Sequence, residues 1–144
     1  MNESNPRVSV LMAVFNTGDY LLEALQSIGN QNFRDFEFIA VDDGSTDGST
    51  QILRDFAAHE PRFRLVTREN RGLIFTRNEL LNAARGELVA WMDSDDVSTP
   101  DRLELQVSYF DAHPDTLCLG GMAQCIDPEG NFLNMERYPL LHSE

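Results

Sequence analysis

The sequence predicts an α/β fold of three layers around a mostly parallel sheet. Three observations carry the prediction. Apolar runs alternate with helix-periodic segments along the chain, those segments are long enough to act as crossovers, and acidic, glycine-rich residues gather where the apolar runs end.

Val8 to Phe15 reads as the first strand, followed by Tyr20, Leu21, Ala24, Leu25 and Ile28 at helical spacing. Phe36 to Val41 is a second strand. Ser45, Thr46 and Asp47 are capping candidates for a helix that runs through Ile52, Leu53 and Phe56 to about His59. Phe63 to Val66 is a third strand and Leu73 to Ala84 a third helix. Leu88 to Met92 reads as a fourth, buried strand. Pro100 opens a fourth helix carrying Leu103, Val107 and Phe110, with Asp96 or Ser98 as its cap. Leu117 to Ile126, interrupted by Gly120-Gly121, reads as a fifth strand, and Asp127-Pro128-Glu129-Gly130 as a turn.

At 144 residues the chain fits one domain. Its net charge of -13 opposes non-specific attraction to nucleic acid or to anionic lipid, so a phosphate ligand has to be received locally by selected arginines, backbone amides or a metal. Cys118 and Cys125 lack zinc spacing and are expected as reduced, largely buried thiols. His59, His113 and His142 are scattered and expected to face solvent or cap helices. The first residues do not resemble a signal peptide, and no apolar run approaches the ~18 residues of a membrane helix, so a cytoplasmic location is expected.

In a parallel sheet, ligands bind beyond the carboxyl ends of the strands. The exits read Phe15-Asn16, Asp42-Asp43-Gly44-Ser45, Arg68-Glu69-Asn70-Arg71-Gly72 and Asp93-Ser94-Asp95-Asp96. Three acids in the last exceed what one helix cap requires. If Asp93 and Asp95 share a face of extended chain they lie ~7 Å apart and repel by roughly 2 kcal/mol. A magnesium or manganese ion turns that repulsion into attraction. Asp42 and Asp43 read either as a turn with a cap or as acceptors for a base N–H or a ribose hydroxyl. Arg68, Arg71 and Arg77 are surface arginines or, if they share a cleft, a diphosphate or base clamp. Phe15 is a core residue or a stacking face for a base.

The ordered set Val8 to Asn16, Val41-Asp42-Asp43-Gly44-Ser45-Thr46-Asp47, Asn70-Arg71-Gly72 with Arg77-Asn78, Ala84-Arg85-Gly86-Glu87 and Met92-Asp93-Ser94-Asp95-Asp96 resembles the nucleotide-sugar half of family 2 glycosyltransferases with the GT-A fold, a Rossmann-like architecture. Pro100-Asp101-Arg102-Leu103 and the Gly120-Gly121 stretch continue the likeness. The resemblance implies a nucleotide-diphosphate sugar, UDP-linked by preference, lying across the strand exits. Phe15 would lie against the base, with backbone of Ala13 and Val14 beside it. Asp42 and Asp43 would accept from the base, and Arg71 or Arg77 would hold the nucleotide. Asp93, with Ser94, would approach the ribose, and Asp95 with Asp96 would hold the metal of a DXD motif.

The resemblance further implies metal-dependent, inverting transfer to a carbohydrate or lipid-linked acceptor in cell-envelope polysaccharide synthesis, at the cytoplasmic face of the membrane in the intact enzyme. These enzymes carry a further stretch with the catalytic base. Asp127, Glu129 and Glu136 do not sit in its motif, so no base is assigned and residues 1–144 are expected to be one donor-binding domain that stops before the acceptor region. A homodimer through exposed apolar surface is a further expectation. The rival readings are a non-catalytic nucleotide-sugar or interaction module and a haloacid-dehalogenase-like phosphatase. The phosphatase motif follows a first strand, whereas Asp93-Ser94-Asp95-Asp96-Val97 follows the fourth. A dinucleotide oxidoreductase is disfavoured because Val14 to Tyr20 contains no glycine-rich phosphate loop.

Overall fold

The computed structural model describes residues 5–136. The chain divides into two compact units, Met1–Leu105 and Gln106–Glu144. The first holds β1 (Val8–Val14), α1 (Leu21–Gly29), β2 (Phe36–Asp42), α2 (Ser49–Ala57), β3 (Phe63–Thr67), α3 (Leu73–Ala83) and β4 (Leu88–Asp93). Helix α4 (Arg102–Ala112) runs across the division, and the second unit adds β5 (Ala123–Ile126) and β6 (Phe132–Glu136).

Strands β1 to β4 form one parallel sheet in the order β3-β2-β1-β4. Every residue of β2 is buried, which is why Phe36-Glu37-Phe38-Ile39-Ala40-Val41-Asp42 reads as a nearly continuous apolar run rather than an alternation. Side chains on alternate positions then enter two different layers. Leu11, Ile39 and Val41 meet Leu80 of α3, with Ala13, Ala83 and Ala84 around them. Phe38, on the other face, meets Phe63 edge-on at 4.9 Å between ring centroids and Phe56 of α2 at 6.2 Å. Helices on both faces give the three expected layers. Each fully buried Leu, Ile or Phe contributes roughly 1.5–3 kcal/mol.

Three expectations need correction. Strand β4 is buried only at Met92: it lies at the edge of the sheet, with Leu88 and Ala90 half-buried and Val89 42% and Trp91 38% exposed. No side-chain cap comes from Ser45, Thr46 or Asp47 to the Gly48 N-cap, because α2 begins later, although Asp47 Oδ1 accepts from Ser49 N–H at 3.0 Å. At α4 the N-terminal N–H of Leu103 is received at 3.0 Å by Oε1 of Gln31, a buried residue distant in sequence, rather than by Asp96 or Ser98.

In the second unit the strand expected over Leu117 to Ile126 contracts to Ala123–Ile126 and pairs antiparallel with β6, which the sequence reading did not anticipate. Two successive glycines supply no side chains to pack and disfavour extension of the strand through them. The expected turn is present, with Asp127 Oδ1 accepting from Glu129 and Asn131 N–H groups and Gly130 at φ 82°. Cys118 is exposed and Cys125 half-buried, because the stretch holding them is mostly open to solvent. His59 and His113 each place Nδ1 on the carbonyl four residues earlier, while His142 lies outside the described residues. Among the described residues no helix is long and apolar enough to cross a membrane.

Candidate functional site

From β1 the chain builds outward to β2 and β3, then crosses back to place β4 on the opposite side of β1. That reversal is where a parallel sheet opens a crevice at its carboxyl edge. Register brings the exits level: Ala13 lies opposite both Val41 and Asp93, Val14 opposite Asp42, and Asp42 opposite Thr67.

At the β1 exit Val14 is buried, Ala13 half-buried and Phe15 52% exposed. Asn16 adopts φ 51°, a left-handed conformation that asparagine tolerates better than most residues. Its N–H donates to Ser45 Oγ at 3.0 Å, and its Oδ1 accepts from Thr46 N–H at 2.8 Å. Thr17 Oγ1 and Ser94 Oγ share a hydrogen bond of 2.7 Å, and Gly18 N–H donates to Ser49 Oγ at 3.2 Å. The loop is thus fastened to both the β2 and β4 exits.

Asp42 and Asp43 are both buried and differ in role. Asp42 Oδ1 accepts from Ser45 N–H and Oδ2 from the Thr50 hydroxyl, which closes its own loop. Gly44, at φ 80°, makes this possible, since a Cβ there would lie 2.7 Å from Asn70 N. Asp43 reaches the next exit, accepting from Arg68 Nη1 and Arg71 N–H on Oδ1 and from Gly72 N–H on Oδ2. Burial alone would raise the Asp43 carboxyl. The Arg71 N–H, the Arg68 guanidinium and the Gly72 N–H outweigh it and hold the group below the usual aspartate range.

Arg68 and Arg71 lie over the same Phe75 ring, at 5.0 Å and 3.5 Å, and Arg77 has different partners. Arg68 is enclosed by Asp43, Glu79 and Thr76; Arg71 lies 3.5 Å over the Phe75 ring; Arg77 reaches Asp93 at 3.5 Å and lies 5.5 Å from the Trp91 ring. Only Arg77 meets the acidic exit of β4.

At that exit the chain does not stay extended, so the strand spacing of Asp93 and Asp95 does not apply. It turns through Ser94-Asp95, with Asp96 N–H on Asp93 O at 3.4 Å. Partial loss of solvent around its carboxyl, then the charges of Asp93 and Asp95, push Asp96 up against the opposing pull of Arg102, although the residue as a whole is exposed. The three acids therefore sit close enough to repel. Arg102, which sequence reasoning did not place in the site, braces the turn from behind by donating to Trp91 O at 2.9 Å. Among the described residues no three His, Cys, Asp or Glu side chains are grouped to hold a metal by themselves. A cavity of about 470 Å³ opens between the β2 and β3 exits, lined by residues including Ser45, Thr50 and Asn70, and neither Phe15 nor the acidic turn borders it.

Against known proteins, the family model described as glycosyl transferase family 2 matches residues 9–143. Chondroitin synthase of Escherichia coli is 32% identical over 140 residues, covering 96% of this chain and 20% of that protein. Among solved structures, S. aureus TarS in complex with UDP-GlcNAc superposes with a TM-score of 0.70 at 31% identity, covering 75% of this chain and 32% of TarS. The mannosyltransferase PcManGT from Pyrobaculum calidifontis, in complex with GDP-Man and Mn2+, gives a TM-score of 0.70 at 30% identity, covering 86% of this chain and 36% of that one. The chain spans between a fifth and two fifths of the length of the first curated relatives it matches.

Proposed function

The chain belongs to glycosyl transferase family 2, and on that premise we propose that it is the donor-binding part of a metal-dependent glycosyltransferase that takes a nucleotide-diphosphate sugar, UDP-linked by preference. One observation carries the reading: the register that sets Ala13 between Val41 and Asp93 gathers three acidic or aromatic exits at the reversal of strand order. Phe15 offers an exposed face for a base, beside the backbone of Ala13 and Val14. Asp43 is the carboxylate offered to a base N–H, whereas Asp42 serves to hold its loop. Arg71 supports the nucleotide from its seat on Phe75, and Asp93, with Arg77 and Ser94, faces the ribose.

The acidic turn fits a hard divalent cation. Its carboxylates already repel, Asp95 and Asp96 are exposed, and a magnesium-type site uses one or two carboxylates with the rest supplied by water and substrate phosphate. That accounts for a site that is not a closed protein cage. When bound, Mn2+ or Mg2+ supplies charge stabilisation to the departing diphosphate. By family resemblance the transfer inverts the anomeric carbon, the acceptor is a carbohydrate or lipid-linked hydroxyl, and the setting is cell-envelope polysaccharide synthesis on the cytoplasmic side.

Calorimetric titration with UDP-GlcNAc and GDP-mannose, with and without Mn2+, tests this. Binding is expected only with metal, and Asp95→Asn is expected to lose about tenfold or more of it. Equal affinity without metal, or an unaffected Asp95→Asn, would remove the metal from the proposal.

A further inference from the structure

Asp43 belongs to a closed ring of hydrogen bonds. Arg68 Nη1 donates to Asp43 Oδ1, and Gly72 N–H donates to Asp43 Oδ2 at 2.9 Å. The Thr76 hydroxyl donates to Gly72 O at 3.0 Å, and Arg68 Nη2 donates to Thr76 Oγ1 at 2.8 Å, which completes the circuit. Arg68 Nε is fixed from outside by Glu79 Oε2 at 2.7 Å. Its side chain is only 15% exposed, so this guanidinium is not a free cation waiting for a phosphate. The three nitrogens of its fork each have a partner, two of them on α3 and one at the β2 exit.

We infer that Arg68 is the positioning residue of the base-reading carboxylate: its guanidinium ties the Asp43 side chain to α3 and so sets where that carboxylate stands at the strand exits. The inference rests on the donor-binding reading given above. The backbone N–H groups of Arg71 and Gly72, one on each oxygen, orient the carboxylate from the neighbouring loop, and the Arg68 fork joins it to Thr76 and Glu79 of α3, so that Asp43 is held from a second element as well. The guanidinium also favours the ionised carboxyl, the form that accepts an N–H from uracil or guanine. The charged groups facing Asp43 are Arg68 from the β3 exit and, through it, Glu79 from α3. Arg71 turns its guanidinium onto Phe75, 3.5 Å away, and presents only its N–H to Asp43. The low Asp43 pKa agrees with this arrangement.

The test follows Asp43 by carboxyl 13C NMR titration in the chain and in Arg68→Met and Arg68→Lys, alongside binding of UDP-GlcNAc and of pyrophosphate, both with Mn2+. UDP-GlcNAc is chosen because its diphosphate does not titrate near neutrality. In Arg68→Met the Asp43 midpoint is expected to rise by about a unit or more, since burial is then less opposed. UDP-GlcNAc binding should weaken about tenfold at pH 7.5, while pyrophosphate binding stays within about twofold. Arg68→Lys, which keeps the charge but not the fork, should hold the midpoint low and lose only about two- to fivefold in UDP-GlcNAc affinity, and it serves where the methionine variant does not fold. An unmoved midpoint, or wild-type UDP-GlcNAc affinity in Arg68→Met, overturns the inference. A wild-type chain that binds no nucleotide sugar while the midpoint still moves overturns the donor-binding reading instead.

Discussion

The Ser9 hydroxyl donates to Glu37 Oε1 at 2.7 Å across the buried ends of β1 and β2, opposite the site. Glu37 is 3% exposed and carries a charge, so it needs strong partners. It has them in the Arg85 N–H at 2.8 Å, Arg85 Nε at 3.0 Å and Arg64 Nη1 at 3.0 Å. The Arg85-Gly86 segment connects α3 to β4. A buried carboxylate therefore fixes where β4 starts and, through its register, where Asp93 ends.

Glu37→Gln is expected to cost about 1.5–3 kcal/mol at pH 7, the range for a hydrogen bond to a charged group. Burial would raise the Glu37 pKa, but Ser9, Arg85 and Arg64 together lower it below the ordinary 4.5. Because the folded pKa lies below the unfolded one, the stabilisation is complete above about pH 4.5 and fades as pH falls through the folded value. Urea unfolding of both proteins from pH 7 to pH 3 reads the gap. A gap constant to pH 3 would show that the charge contributes nothing.

Gly86 makes the same junction possible. A Cβ there would lie 2.5 Å from Ser9 N and 2.7 Å from Val8 C, both backbone atoms that cannot step aside. Gly86→Ala is expected to destabilise the fold by about 1–3 kcal/mol through overpacking, and to weaken Mn2+-dependent nucleotide binding because β4 shifts against β1. Thermal unfolding with calorimetric titration measures both. A variant of unchanged Tm would contradict the close approach.

Thr17 and Ser94 join the loop of the stacking face to the acidic turn through one hydroxyl pair of 2.7 Å. Thr17→Val and Ser94→Ala are each expected to weaken binding of UDP-GlcNAc with Mn2+ by about three- to tenfold, near 1 kcal/mol for a neutral hydrogen bond. The double variant should lose little more than either single one. Fully additive losses would mean that the two hydroxyls act separately.

Legibility in the sequence follows the range of the interaction. Strands β1 and β2 and helix α1 are readable because burial on both faces of a sheet, or apolar residues recurring at helical spacing as Leu21, Ala24, Leu25 and Ile28 do, leaves an apolar record. The four exits were readable for the same reason: polar residues stand out where apolar runs stop. What was not readable depends on partners far along the chain. Gln31 looks like an ordinary polar residue after a helix, yet it is fully buried and bonds Ser27 O, Thr99 O and Leu103 N. Arg68, Arg71 and Arg77 form one group in sequence, yet two of them share the Phe75 ring and the third reaches Asp93. The edge exposure of β4 depends on strand order, which periodicity does not encode.

Phe75 holds Arg71 by stacking, with the guanidinium carbon 3.5 Å from the ring centroid and the ring 37% exposed. Such a contact contributes about 0.5–1 kcal/mol at an open site. Phe75→Leu keeps the apolar volume roughly constant but removes the π face, so the fold should lose little while Arg71 becomes free to sample other rotamers. If Arg71 supports the nucleotide, UDP-GlcNAc affinity with Mn2+ should fall about two- to fivefold in Phe75→Leu, and Arg71→Ala should fall at least as far. In the combined variant the loss of the ring should no longer matter, because the group it steadied is absent. Calorimetry on the four proteins decides it. A Phe75→Leu penalty that persists in the Arg71→Ala background would show that the ring acts other than through Arg71, by touching the donor or by steadying Arg68, 5.0 Å from its centroid.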